Sequence, residues 1–436
     1  MPRLTRPRNE QHRPRRSRRA TCAVGSLVVL LAACGGGNSA DDSTPTGASS
    51  PQDSTATSVG ATTATQAAVG ERWAEIDGWE TTGATTFYAG SAGDRLLGVA
   101  VDDTPQAASP VRIFEQTDGS WVESADLVEM GLPLVAGDPP PGVLAGELAI
   151  GGDASVAVVA ILIRPVPGVS ADGALVDLWL AIDDGSGWTL AGPTETGIDQ
   201  RVQGAKAFRF SSVAGVAAAN GNVHVVFEGQ WWEPYRTGGA DFAVATRSSD
   251  GSWTTFAATE QDTGAGRMEP SSVTVSPGGA LMAAGRGSLG QDSGIRLWGS
   301  AAGATWQPGP VLTDADGAFV TVTALAATDA GFLLAVTADL TGASRYTVLW
   351  HSADGITWQP AELPPLAEGE RLAALAAVGE QFVAIDSEGS LWTSPDGTSW
   401  EALSGPTGSG ARGGVLVALG DRLALVGPTA GHITPG

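Results

Sequence analysis

One short pattern recurs along this chain: an apolar strand, a Ser/Asp/Gly turn and a closing tryptophan. The clearest copies are Leu349-Trp350-His351-Ser352-Ala353-Asp354-Gly355-Ile356-Thr357-Trp358 and Leu391-Trp392-Thr393-Ser394-Pro395-Asp396-Gly397-Thr398-Ser399-Trp400. Looser copies close on Trp121, Trp188, Trp253 and Trp306, with Asp118, Asp184 and Asp250 in three of the turns and Ala302 in place of the Asp in the fourth. Asp-Gly between two strand-like runs predicts a hairpin, because Gly accepts positive φ and the Asp side chain bonds nearby backbone N–H groups. A chain written in such units buries its apolar faces by stacking the copies.

A second hairpin precedes each of these, with an apolar strand, a Gly/Asp/Asn turn and another apolar strand. Copies begin at Phe87, Leu148, Val213, Val273, Val322, Leu372 and Val415, which makes seven inner hairpins against six outer ones. Runs such as Leu372-Ala373-Ala374-Leu375-Ala376-Ala377-Val378 mix small and large apolar residues, as sheets packed around a common axis require. A helical reading of the Ala-rich runs fails on their punctuation, since Gly and Asp-Gly every few residues stop a helix from propagating. The expected fold is all-β: a seven-bladed propeller of four-stranded antiparallel blades, with six blades and a frayed C-terminus as the alternative. Residues 71–436 supply the propeller. The segment Arg72-Trp73-Ala74-Glu75-Ile76-Asp77-Gly78-Trp79 is expected to provide the missing outer strand by pairing with the last blade, so that no sheet edge is left open.

The first seventy residues read differently. Eight of the chain's 24 basic residues fall within the first nineteen positions, ahead of an apolar run from Ala20 to Ala33. That is the layout of a signal peptide over residues 1–33, and its fourteen-residue run is short of the ~20 needed to span a bilayer. Leu31-Ala32-Ala33-Cys34-Gly35 resembles the bacterial lipobox, which implies diacylglycerol on the Cys34 thiol and cleavage before it. Ser17-Arg18-Arg19 resembles a twin-arginine signal, so either export route remains open. Residues 34–70, rich in Ser, Thr and Gly, form a disordered tether with too few apolar side chains to offset ordering. Without residues 1–33 the chain has 16 basic against 46 acidic residues, a formal −30, which repels nucleic acid and anionic lipid. The membrane is expected to hold this protein through lipid, on the outer face of the bacterial cell membrane.

The Ser-x-Asp-Gly-x-x-Trp hairpins resemble the Asp-box, or BNR, repeats of sialidase-like propellers over roughly residues 72–427, although Gly here follows Asp directly. The resemblance implies the fold and a structural role for Asp118, Asp184, Asp250, Asp354 and Asp396. It does not confer chemistry. The Arg-Ile-Pro motif of sialidases has only Val111-Arg112-Ile113-Phe114 as its nearest counterpart, and Tyr88, Tyr235 and Tyr346 are the only tyrosines available as nucleophiles. No cofactor is called for. No metal site is expected either, with His224, His351 and His432 far apart and Cys34 alone beyond the leader; His224, inside Val223-His224-Val225-Val226-Phe227, reads as a packed, hydrogen-bonded core residue.

Ligands of propellers sit mostly at one mouth of the channel. Two features are assigned there. Glu228-Gly229-Gln230-Trp231-Trp232-Glu233-Pro234-Tyr235-Arg236 reads as a polar loop whose Trp231, Trp232, Glu233, Tyr235 and Arg236 suit a binding hot spot, or else fold over their own blade. Lys206, Arg209, Arg267, Arg371 and Arg412 fall just before inner strands, where they would meet an anionic ligand or pair with neighbouring acids. The reading is a non-catalytic binding or scaffolding module for a glycan or protein partner. A sialidase-like glycoside hydrolase with a degenerate site and an assembly factor for a membrane protein are the alternatives.

Overall fold

The structure, a computed structural model, describes residues 73–101, 111–133, 143–165, 177–197, 207–233, 236–257, 268–289, 292–313, 319–339, 345–406 and 414–434. Cys34, the proposed leader and tether, Lys206, Tyr235, Arg267 and Arg412 lie outside these residues.

Each apolar run bounded by Gly or Asp forms a strand. After β1 (Ala74–Asp77), blade 1 consists of β2 (Thr86–Ala92), β3 (Arg95–Val101), β4 (Val111–Thr117) and β5 (Ser120–Asp126). Blade 2 is β6 (Val143–Gly152), β7 (Ala157–Pro165), β8 (Asp177–Asp183) and β9 (Trp188–Ala191). Blade 3 is β10 (Ala207–Ala219), β11 (Asn222–Glu233), β12 (Arg236–Arg247) and β13 (Trp253–Ala257). Blade 4 is β14 (Met268–Val275), β15 (Leu281–Leu289), β16 (Asp292–Ser300) and β17 (Gln307–Leu312). Blade 5 is β18 (Phe319–Thr328), β19 (Gly331–Asp339), β20 (Tyr346–Ser352) and β21 (Gln359–Ala361). Blade 6 is β22 (Leu372–Val378), β23 (Gln381–Asp386), β24 (Leu391–Ser394) and β25 (Glu401–Leu403). Blade 7 comprises β26 (Val415–Leu419), β27 (Arg422–Val426), β28 (Ala430–Ile433) and, outermost, β1.

The ring therefore has seven antiparallel blades, and the chain's first strand completes the last of them. Ala74, Glu75, Ile76 and Asp77 lie opposite Ile433, His432, Gly431 and Ala430. The seam also holds the missing seventh tryptophan. Trp400 Nε1 donates to the Glu362 carbonyl just past β21 of the preceding blade (2.9 Å), and Trp121 Nε1 donates to Asp77 at the end of β1 (3.0 Å). Trp73, just before β1, does the same to Ser404, past β25 (2.9 Å). These indoles clasp one blade to the one before it. Trp358 instead stays with its own hairpin, its Nε1 donating to the Gly355 carbonyl (3.2 Å).

The core lies between blades. Both faces of a blade are covered by its neighbours, so alternate residues of one strand serve two different clusters. In β11, Val223, Val225 and Phe227 pack with blade 2, whereas Val226 packs with blade 4. Alanines such as Ala214, Ala217, Ala326 and Ala376 are fully buried and let the inner strands approach closely.

Every strand 1–2 and 3–4 turn falls on one face of an antiparallel meander. Asp118 (φ 50°) and Gly119 (φ 86°) form a two-residue turn with positive φ at both positions, which suits the twist of the flanking strands. In the fuller turns the Asp works as an acceptor. Asp354 Oδ1 accepts the N–H groups of Thr357 (2.7 Å) and Ile356 (2.8 Å) and the Ser352 hydroxyl (3.1 Å). These donors lower its carboxyl to about 2. Burial opposes the charge of Asp396, but the N–H groups of Ser399 and Thr398 overcome it and hold that carboxyl well below the usual range. In blade 2 the acceptor of backbone N–H groups is Asp183 (Gly185, 3.0 Å), while Asp184 takes the Ser186 hydroxyl and pairs with Arg247 of blade 3 (3.1 Å).

His224 is fully buried in β11. One ring nitrogen meets the Thr246 hydroxyl (2.9 Å), the other has no partner, and burial lowers its pKa to about 4. The folded state thus binds this proton less readily than the unfolded chain, whose His titrates near ~6.5. The stabilising contribution is complete above that value and is lost as pH falls toward about 4, by about 3 kcal/mol in total. Melting His224→Asn beside the parent chain checks this: the variant should lose less midpoint between pH 7 and 4, and parallel losses would remove His224 as the cause.

Candidate functional site

Because the short turns occupy one face, the strand 2–3 loops and the blade-to-blade connections leave from the other, and the inner strands begin there. Five of the inner strands carry a register shift in this mouth-side half, between Ala145 and Leu148, Phe210 and Ser212, Pro270 and Ser272, Val322 and Ala324, and Leu372 and Ala374. A bulge leaves a residue outside the ladder and turns its side chain. The residues so placed include Glu147, Ser211, Ser271 and Thr323, a set of hydroxyls and a carboxylate around the mouth.

These groups also tie blades together. Glu147 of blade 2 accepts the Val213 N–H of blade 3 (3.0 Å), and Thr347 of blade 5 accepts the Leu372 N–H of blade 6 (3.1 Å). Glu228 in β11, 8% exposed, takes the Ser212 hydroxyl (3.1 Å). Ser271 and Thr321 are exposed, and the Thr323 and Thr337 hydroxyls bond each other (2.8 Å). The Ser211 and Ser271 hydroxyls donate to the Glu228 and Ala284 carbonyls of the next strand (3.4 and 3.5 Å), so most of these groups brace the ring and only Ser271 and Thr321 face solvent.

The segment read as a loop from Glu228 to Arg236 is instead the upper part of a long hairpin. β11 continues through Trp231, Trp232 and Glu233, and β12 starts at Arg236, opposite Glu233. Aromatic residues favour pleated pairing even where the string looks polar, and β10 supplies a partner: Phe208 lies opposite Trp231, and Arg209, within β10 and not in a connection, lies opposite Gln230. Arg209, Trp231, Trp232, Glu233 and Arg236 therefore belong to three paired strands of one blade, β10, β11 and β12. Arg371 stands just before β22 in blade 6, three blades away, and is half-buried. The structure does not join it to the blade 3 group.

Other arginines are committed to carboxylates. Arg95 of blade 1 donates to Glu115 (2.9 Å) and to Asp183 of blade 2 (2.9 Å), and the Glu115 bond raises its pKa above the ordinary value. Arg112 pairs with Glu123 (3.2 Å). The candidate tyrosines are scattered, with Tyr88 in β2 of blade 1 and Tyr346 in β20 of blade 5. Among the described residues, no three His, Cys, Asp or Glu side chains gather to hold a metal ion, and no helix is long and apolar enough to cross a membrane.

No family model matches the chain, and no curated protein does. Solved propellers resemble it at low identity. YCF48 from Cyanidioschyzon merolae is 12% identical over 83% of this chain and 98% of that one, with a TM-score of 0.42. A streptogramin B lyase is 9% identical over 83% and 97%, with a TM-score of 0.42. The Trypanosoma rangeli sialidase is 11% identical over 73% of this chain and 56% of that one, with a TM-score of 0.38. Likeness at this level says nothing of chemistry, and the architecture of this chain rests on its own strand pairing.

Two groups escape the sequence reading. The bulged Ser and Thr residues look like ordinary strand residues, and their outward placement depends on sheet register. Arg296 is the second: a cation inside Ile295-Arg296-Leu297-Trp298 interrupts an otherwise apolar run and marks a residue that needs a partner.

Proposed function

We propose that this protein is exported, held on the outer face of the bacterial membrane by lipid on Cys34, and binds a glycan or protein partner at the channel mouth without turning it over. The observation that carries the reading is the difference between the two faces. One is closed by self-satisfied Asp turns, with Gly379 and Gly420 bonding across blades 6 and 7 and Arg422 reaching the Asp94 carbonyl of blade 1. The other carries the bulged strands, the exposed Ser271 and Thr321, and the long blade 3 hairpin whose sequence includes Trp231 and Trp232. Rigid aromatic area beside neutral hydrogen-bonding groups suits sugars and protein surfaces alike. The Asp354 and Asp396 turns support an Asp-box reading in which the carboxylates shape turns rather than react.

Cell fractionation tests the anchor: Cys34→Ser should move the protein out of the membrane pellet or stall its precursor, and an unchanged pellet sinks the lipid. A glycan array tests the mouth. Trp231→Ala combined with Trp232→Ala should weaken any retained glycan at least about tenfold, the scale of losing aromatic anchors. Release of fluorophore from sialosides or other glycosides by the parent chain, abolished by Tyr235→Phe or Tyr346→Phe, would replace this reading with a hydrolase.

A further inference from the structure

The interface between blades 3 and 4 contains a cation with no counter-ion among the described residues. In β16, Ile295 and Leu297 pack into the cluster shared with blade 5, so Arg296 and Trp298 face blade 3 by strand alternation. Trp298 confirms the direction by stacking on Phe242 of β12, with ring centres 5.2 Å apart and planes 21° from parallel. Arg296 lies two residues nearer the mouth and is 3% exposed; its Nε and Nη1 have no hydrogen-bond partner. Its cross-strand neighbour in β15 is Gly285, which brings no side chain against it.

An unpaired guanidinium is among the most costly groups to bury, and a chain with 47 acidic residues has ample means to neutralise one. Arg95, Arg112 and Arg247 are neutralised in this way. Glu228, across the ladder from Phe242 and so on the same face, instead holds the Ser212 hydroxyl (3.1 Å). Trp298 Nε1 and Trp306 Nε1, in the same interface, are likewise buried without partners. These groups donate and do not accept, so the complementary ligand atom is an acceptor bearing negative charge. The strongly acidic chain disfavours a doubly charged anion, which selects a carboxylate over a sulfate.

The neighbouring hairpins are longer than those of blade 1. β11 and β12 have twelve residues each and β15 and β16 nine each, against seven in β3 and β4. Five additional residues at ~3.3 Å each raise the blade 3 hairpin roughly 16 Å above that of blade 1. Arg296 lies on the third strand of blade 4, about two strand spacings or ~10 Å out from the channel-lining strand.

We propose that the blade 3–blade 4 interface is a carboxylate-binding site anchored by Arg296, which receives the single carboxylate of a ligand entering between these hairpins. The site lies off the channel axis and depends neither on the lipid anchor nor on what the mouth binds. A guanidinium matches a carboxylate in plane and charge, and the dry surroundings strengthen the pair.

Melting of the full-length protein in sodium acetate, sodium glucuronate, sodium sulfate and sodium chloride at matched ionic strength tests it. Acetate and glucuronate should raise Tm with saturation, and chloride and sulfate should not. Saturation by glucuronate at lower concentration assigns an acidic sugar; equal midpoints assign a small carboxylic acid. Arg296→Met should melt higher than the parent without anion, because a stranded charge is gone, and should shift the saturation midpoint upward at least about tenfold. Arg112→Ala, which removes a surface pair, should keep the response. A carboxylate response no larger than that of chloride, an equal response to sulfate, or one intact in Arg296→Met overturns the proposal. Should Arg296→Met not fold, the parent chain's comparison of the four salts still decides.

Discussion

Deleting residues 35–82 should leave a protein that aggregates on purification or melts far below its parent, whereas deleting residues 35–68 should leave the melting curve almost unmoved. The longer deletion removes β1, whose four residues pair with β28, and with it the bonds that join three blades. Asp77 N–H donates to Gly119 of blade 1 (2.7 Å), Trp73 holds blade 6, and Trp79 and Glu80 donate backbone N–H groups to Gly427 and Pro428 (3.2 and 2.9 Å). Ile76 is 4% exposed, and Trp79 stacks on Phe87 at 5.8 Å. Large apolar side chains contribute about 1.5–3 kcal/mol each on burial and net hydrogen bonds about 0.5–1.5, so the loss exceeds ~5 kcal/mol. That is a large part of the ~5–15 kcal/mol by which domains are stable. The open β28 edge then offers unpaired backbone to other molecules. Comparable midpoints and solubility for the two deletions would mean that the seam contributes little to the ring.

The second large effect is expected at Gly303. This residue holds φ +77° in the blade 4 outer turn, where its N–H donates to Ser300 Oγ (2.7 Å), and a Cβ there would run into the buried ring of His224 in blade 3. Gly303→Val combines left-handed strain, ~1–3 kcal/mol, with overpacking against a ring that cannot retreat, ~1–3 kcal/mol. The expected loss is about 2–6 kcal/mol in denaturant melts. Gly185→Ala is the control, since Gly185 (φ +89°) has nothing within 4 Å of an added Cβ and incurs only the backbone term. Equal losses in the two variants would show that the outer turn of blade 4 does not press on blade 3.

Arg296 and His224 lie in the same interface and behave in opposite ways. His224 adapts to burial by giving up its proton. Burial lowers the pKa of Arg296 too, yet a guanidinium stays protonated at any ordinary pH. A buried histidine therefore adjusts by titrating, whereas a buried arginine needs an anion. That difference makes Arg296 the residue to probe for a ligand and His224 the residue to probe for acid sensitivity.

Much of this molecule was legible in its string. Asp-Gly turns with positive φ are local chemistry, and they mark the outer hairpins wherever they occur. The surplus of seven inner hairpins over six outer ones foretold a closing strand, and β1 is found on β28, because a sheet edge is costly enough that a chain of this periodicity has one economical way to finish. Other features came from tertiary structure. Trp73 joins the clasp only because β1 and blade 6, more than three hundred residues apart in sequence, meet across the seam. The polar string ending in Trp231 and Trp232 became strand because β10 stood beside it to accept its backbone. The bulges are set by the register between neighbouring strands, and the isolation of Arg296 follows from which carboxylates the packing of blade 3 against blade 4 did and did not bring near. Local turn chemistry and hydrophobic period determine the number and kind of blades; the choice of partner for each long side chain depends on the juxtaposition of strands distant in sequence.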